Sequence, residues 1–197
     1  MQVTTLSFGN MHNHGELLSN MFRARHETFI QQHNWDLPEA DGMEYDQYDT
    51  PASRWIAVHE FGHVLAGVRL TPTTARCGIY SYMIRDAQLG LLDAISSNLL
   101  YDEAPVASHI WESSRIFVSQ RVPARLRMRV QINLIGEMCR AARDLGATSV
   151  LGLIPENGPR WGRRVGLDID VAGPVLEFGD GTTPSRCIMI NLAGKMH

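Results

Sequence analysis

The chain has 197 residues, 44% of them hydrophobic and 20% charged, which is enough apolar material for one core and excludes a disordered tail protein. Its 18 basic and 21 acidic side chains leave a formal charge of −3, so it is no bulk polyanion binder; no nucleic-acid partner is expected, and only a local basic patch stays open. Cys77, Cys139 and Cys187 lack CxxC spacing and point to reduced thiols in a cytoplasm, Met1–Asn10 lacks the make-up of a secretion signal, and no apolar run approaches a membrane span.

Gln2–Phe8 reads as a short strand. Glu16–His33 carries Leu17, Leu18, Met21, Phe22, Phe29 and Ile30 at three- and four-residue steps, the spacing of a helix with one apolar face. Arg25 lies four residues from both Met21 and Phe29, so this helix puts an arginine on that face. Asn34–Ser53 is polar and turn-rich, with Pro38, Gly42 and Pro51 among Asp36, Glu39, Asp41, Glu44, Asp46 and Asp49. Trp55–His59 and Val64–Leu70 read as strands joined around Gly62. Ile79–Met83 is expected as a strand and Ala87–Leu100 as a helix. Ile110–Val118 reads as a strand with polar residues in its middle. Arg125–Leu145 is a long helix stopped by Gly146. Ser149–Ile154 has the apolar run of a buried strand, and Pro159–Val165 reads as a short basic helix. Strands near Val171–Phe178 and Cys187–Leu192 flank a Gly179–Gly181 turn. No repeat or long linker divides the chain. The order predicts a single α/β domain over residues 1–197, a mixed, largely antiparallel sheet flanked by helices.

His59-Glu60-Phe61-Gly62-His63 matches the HExxH zinc motif, which needs both histidines on one helix face. Ala66 and Arg69 stand where the longer metalloprotease pattern wants glycine and histidine. The flanks Trp55–Val58 and Val64–Val68 suit strands, and a hairpin points the two histidines in unrelated directions. The motif is read as a chance match in a hairpin, with no metal site expected.

Several charges sit among apolar residues. Arg25 needs an anionic partner, from the protein or a ligand. Glu112 and Arg115 lie inside the apolar run Ile110–Val118. Along the chain run Arg25-xxx-Phe29, Trp35, Glu44-Tyr45-Asp46-xx-Asp49, Arg69-Leu70-Thr71-Pro72-Thr73 and Trp111-Glu112-Ser113-Ser114-Arg115. Together these five motifs resemble the LuxI-type acyl-homoserine-lactone synthases, the autoinducer synthases of bacterial quorum sensing. The resemblance runs from Met21 to about Leu192. Ile116 departs from it where many members have an aromatic, and Thr73–Met83 aligns poorly.

The resemblance implies a fold similar to the GCN5-related acetyltransferases, with αβα layers. It implies an acyltransferase that joins the amine of S-adenosylmethionine to an acyl group carried on acyl carrier protein or coenzyme A, then closes the lactone and releases methylthioadenosine. S-adenosylmethionine is then a substrate, and no separate cofactor is required. Glu112 is the candidate general base for the amine. Phe29 and Trp35 suit the sulfonium cation, and Arg25 suits the substrate carboxylate. Asp46, Asp49, Arg69 and Arg115 match family positions and read as an ion network ordering the loop Trp35–Asp49, with Asp46 near the substrate amine. Leu151 and Gly152 are assigned to the acyl pocket. In the family a threonine at the Gly152 position is associated with 3-oxoacyl substrates, so a chain without the 3-oxo group is expected here. Arg160, Arg163 and Arg164 form a basic patch for docking acidic acyl carrier protein. An acetyl-coenzyme A acetyltransferase is the main rival, but Gln120–Arg125 lacks the glycines of its pyrophosphate loop. Acyl length, donor and oligomeric state are left open.

Overall fold

The computed structural model describes residues 1–177 and 183–193. The chain gathers into two units, Met1–Leu70 with Arg115–Ala141 and Thr71–Ser114 with Ala142–His197.

In the first unit, β1 (Gln2–Leu6), β4 (Arg54–Glu60) and β5 (His63–Pro72) form an antiparallel meander. The β4–β5 turn places Phe61 and Gly62 at φ of 49° and 82°, the paired left-handed residues of a tight hairpin. Glu60 pairs with His63 across it. The HExxH letters therefore span a hairpin and not a helix. His59 Nε2 lies 2.9 Å from Thr4 Oγ1.

The expected Glu16–His33 helix is present but changes character. It runs as α1 (Leu17–Arg25) and continues as π-helical turns over His26–Gln32. Leu17, Leu18, Met21, Ala24 and Phe29 join Leu6, Trp55, Ala57, Val64 and Phe117 in the core of this unit. Short strands β2 (Glu39–Ala40) and β3 (Met43–Glu44) pair inside the polar loop. Most of α3 (Ala124–Asp144) belongs here too, and its apolar face buries Val130, Leu134, Met138 and Ala141.

The second unit corrects two expectations. Ile79–Met83 is not a strand; Cys77 and Tyr80 form an isolated bridge, and α2 covers Met83–Gln88. Ala87–Leu100 is not a helix, because Gly90 takes φ of 73° and its N–H closes onto the Ala87 carbonyl, while Leu91 N bonds to Asp86 O. Strand β6 (Ile110–Val118) begins in this unit and pairs in parallel with β7 (Ser149–Pro155) over Ile110–Ser113. Strand β9 (Ser185–Asn191) lies antiparallel between β7 and β8 (Asp168–Val171). The strand expected at Val171–Phe178 lies earlier. The Gly179–Gly181 turn and Phe178 fall outside the described residues. Helix α4 (Gly158–Arg164) carries the basic triplet, and Gly162 lets it approach Ile169 closely. The observed class is the expected mixed, mostly antiparallel sheet with flanking helices.

Candidate active site

Six of the motif charges converge in the first unit. Helix α1 ends on Arg25, which has no exposed surface. Its Nε donates to Glu44 Oε2 at 2.6 Å, while Nη1 and Nη2 donate to the two oxygens of Asp49 at 2.7 and 2.8 Å. Arg69, from the middle of β5, grips both oxygens of Asp46 and reaches Asp49 Oδ1 at 3.0 Å. Arg115, on β6, completes the set with Nε to Glu44 at 3.1 Å and Nη2 to Asp46 at 2.9 Å. Three guanidiniums thus balance three carboxylates, and the forked geometry of arginine makes the pairs two-pronged.

Burial alone would raise the carboxyls of Asp46 and Asp49, but the attraction of Arg69, then of Arg115 on Asp46 and of Arg25 on Asp49, holds both below the ordinary carboxylate value. Burial alone would likewise lower the Arg25 guanidinium, and Asp49 reverses that, so it sits above its ordinary value. The loop is tied to the same anchors. Asp49 Oδ2 accepts from the Asp46 amide and Asp46 Oδ1 from the Tyr48 amide, both at 2.9 Å. Arg115 itself adopts φ of 54° inside a strand, a left-handed conformation that costs a non-glycine residue of order 1–3 kcal/mol and persists where surrounding contacts hold it.

Beside this cluster stands an aromatic wall. Phe29 stacks on Trp35 at 5.1 Å and 12°, meets Phe117 edge-on at 5.9 Å, and lies 5.7 Å beneath the Arg115 guanidinium. Trp35 Nε1 is buried and makes no hydrogen bond among the described residues. The π-helical turns seat Phe29 here, with the Thr28 hydroxyl bonded to Ala24 O at 2.8 Å.

Arg25, expected to meet a substrate carboxylate, has protein partners on each of its nitrogens. Its guanidinium is sealed in protein and already neutralised by Glu44 and Asp49. Among the three arginines only Arg115 keeps exposed side-chain surface, 11% against zero for Arg25 and Arg69.

In the second unit Glu112 is fully buried. Its Oε1 accepts from Ile84 N at 2.7 Å and its Oε2 from Met83 N at 3.3 Å, the first amides of α2. A carboxylate is well placed at a helix start, where N–H groups lack intrahelical partners. Leu151 and Gly152 sit on β7, as expected, but neighbours on a strand face opposite ways, so only one can face a given chain. Gly152 pairs with Ser113, and a Cβ there would fall 2.6 Å from Ser113 Oγ. Arg160, Arg163 and Arg164 are all exposed on α4, yet Arg163 is pinned, donating from Nη2 to Ile169 O at 2.7 Å.

Two contributors escaped the sequence. Trp55 Nε1 donates to Asp49 Oδ1 at 2.9 Å; a tryptophan opening a buried strand needs such an acceptor, and that was the available signal. Asp86, like Glu44 and Glu112, is a fully buried carboxylate, and nothing in its spacing marked it.

The chain is 30% identical over 161 residues to an acyl-homoserine-lactone synthase of Ralstonia nicotianae, covering 79% of this chain and 73% of that one. It is 33% identical over 108 residues to a Vibrio anguillarum synthase of the same description, covering 54% of this chain and only half of the relative. Its fold matches that of BjaI, a coenzyme A-dependent acyl-homoserine lactone synthase solved with SAM and isopentyl-CoA, at a TM-score of 0.76, 22% identity and coverage of 96% and 82%. It also shares its fold with a Pseudomonas aeruginosa acyl-CoA N-acyltransferase, at a TM-score of 0.61, 14% identity and coverage of 96% and 99%. The autoinducer synthase family model matches residues 9–182, most of the 197-residue chain, and the chain belongs to the autoinducer synthases.

Proposed function

We propose that the chain makes an N-acyl-L-homoserine lactone from S-adenosylmethionine and an acyl thioester. The substrate amine attacks the thioester carbonyl; the new N–C bond forms, the C–S bond breaks, and the thiol leaves with a proton. The methionine carboxylate then attacks its own γ-carbon. That C–O bond closes the lactone as the C–S bond to the sulfonium breaks, so methylthioadenosine leaves neutral. S-adenosylmethionine is consumed as a substrate, and no separate cofactor enters.

The observation that carries this reading is the neutral six-residue cluster beside the Phe29–Trp35 stack. The stacked rings offer electron-rich faces to a sulfonium. Trp35 Nε1 offers a donor that the described residues leave unused. Arg115 takes over the carboxylate contact first assigned to Arg25, because it is the cation of the cluster with an exposed edge. Arg25, Arg69, Asp46, Asp49 and Glu44 hold the loop and Arg115 in place. Glu112 is the general base. The acyl donor is carrier protein or coenzyme A, with α4 supplying a docking surface for the acidic carrier. Among the described residues no helix is long and apolar enough to cross a membrane, and we place the reaction in the cytoplasm, where both substrates are made.

The test is mass spectrometry of lactones extracted from bacteria expressing the chain. In parallel, methylthioadenosine release is followed with purified protein and butanoyl, hexanoyl and octanoyl thioesters of both carriers. Lactone with equimolar methylthioadenosine is expected. Acylation of some other amine without methylthioadenosine would overturn the reading.

A further inference from the structure

Asp86 is a buried carboxylate that the reaction leaves unused. It has no exposed surface, and no ion pair accompanies it among the described residues. Burying a carboxylate without a cation is costly unless strong hydrogen bonds compensate. Here one residue supplies them all. The Ser81 amide donates to both oxygens, at 2.8 and 3.1 Å, and the Ser81 hydroxyl donates to Oδ1. A serine or asparagine would satisfy a single turn amide at far smaller desolvation cost, so capping alone does not account for the charge.

The placement of this clamp gives it a task. Ser81 stands two residues before α2, and Asp86 lies within it, so the Ser81–Asp86 bonds tie the entering chain to the helix body. Between them lie the amides of Met83 and Ile84, the donors that hold Glu112. Tyr82, also fully buried, bonds through its hydroxyl to Pro105 O at 2.6 Å and anchors the same turn from a third side. The turn therefore cannot rotate without breaking the clamp, and if it rotates, Glu112 loses the Met83 and Ile84 amides.

We propose that Asp86, acting with Ser81, is a positioning residue that fixes the α2 amides which orient the Glu112 carboxylate. This rests on the reading of Glu112 as general base. Asp86 touches no substrate. It sets the direction of the donors, which reach Oε1 at 2.7 Å and Oε2 at 3.3 Å.

The test is a kinetic double-mutant cycle on the full chain with S-adenosylmethionine and octanoyl thioesters, for wild type, Asp86→Asn, Glu112→Gln and the double variant. Asp86→Asn should lower kcat about tenfold to a hundredfold, as a displaced reacting group does, with the KM for S-adenosylmethionine within about twofold of wild type. The double variant should be no slower than Glu112→Gln alone, because groups that act as a unit are non-additive. An unchanged kcat in Asp86→Asn, or a double variant that loses the full extra factor, would overturn the inference. Should Asp86→Asn fail to fold, Ser81→Ala carries the same cycle; it keeps the amide bonds and should cost about two- to tenfold. Full turnover by Glu112→Gln would instead remove the base itself, an outcome visible before any Asp86 variant is compared.

Discussion

Arg25 is where the buried cluster can be broken most informatively. Replacing it with methionine keeps a long, unbranched, helix-compatible side chain and removes three charge-assisted hydrogen bonds. Taken singly, hydrogen bonds to charged groups are worth about 1.5–3 kcal/mol each, a gross sum of roughly 4.5–9 kcal/mol. That sum overstates the loss, because the carboxylates keep other partners. Glu44 retains Arg115, and Asp49 retains Arg69 and the Trp55 indole. What remains is one uncompensated negative charge among residues with almost no exposed surface. Removing one partner of a buried pair costs about 3–5 kcal/mol, and we take that range. For a chain of this size each kcal/mol moves Tm by about 2–4 °C, so Arg25→Met should melt roughly 6–20 °C below wild type. The assay is urea unfolding with paired thermal melts, at about 0.1 M and about 1 M salt, where the screening length falls from about 10 Å to about 3 Å. The loss should survive high salt, since solvent ions cannot enter the cluster. Arg25→Lys should fall between, because an ammonium cannot fork to Glu44 and Asp49 together. A loss below about 1 kcal/mol, or one that salt abolishes, would refute the argument by giving the pairs the energetics of surface bridges.

Other expectations are independent of that one. Asp46 and Asp49 are held below the ordinary carboxylate value, so their contribution is fully present above an unfolded value near about 3.9 and is lost as pH falls through their folded values; Tm should hold down to about pH 5 and drop below about pH 4, and a flat acid profile would contradict it. Gly67→Ala puts a methyl 2.2 Å from Met21 Cε and 2.8 Å from a Phe117 ring carbon. Unfolding curves should show a loss of about 1–3 kcal/mol from overpacking, and a neutral result would mean that the core yields. Arg160→Glu with Arg164→Glu should slow kcat/KM about tenfold for a carrier-protein donor and leave a coenzyme A donor unaffected, with Arg163 spared because it holds Ile169 O. Salt-independent kinetics with the carrier would count against docking on α4. Gly152→Thr, paired with Ser113→Ala to clear the Oγ at 2.6 Å, should move competition between 3-oxo and unsubstituted donors about two- to tenfold toward 3-oxo. A wild type that already prefers the 3-oxo donor would remove Gly152 from the acyl pocket.

Local periodicity was enough for much of this fold. Ile110–Val118 is a strand with the expected bounds, and the long helix expected at Arg125–Leu145 runs Ala124–Asp144, because side-chain alternation and three- and four-residue steps are written into neighbouring positions. The hairpin across the HExxH letters was legible for the same reason, its flanks having strand character. The charged motifs supply the six side chains that come together in one cluster. Their partners were another matter. Arg25 reads from sequence as a cation in need of an anion, from protein or ligand; only the tertiary structure brings Glu44 and Asp49 to it, across 19 and 24 residues. The π-helical turns that seat Phe29 and the Glu112 bonds to α2 were equally hidden. A buried charge is satisfied by whatever the packed chain carries to within hydrogen-bond reach, and that approach is set by the turns at Asn34–Ser53 and Thr73–His109, where no period runs. Residue types and spacing thus determine which chemistry is present and on which elements; long-range packing decides which of those groups are sealed as structure and which keep an edge for substrate.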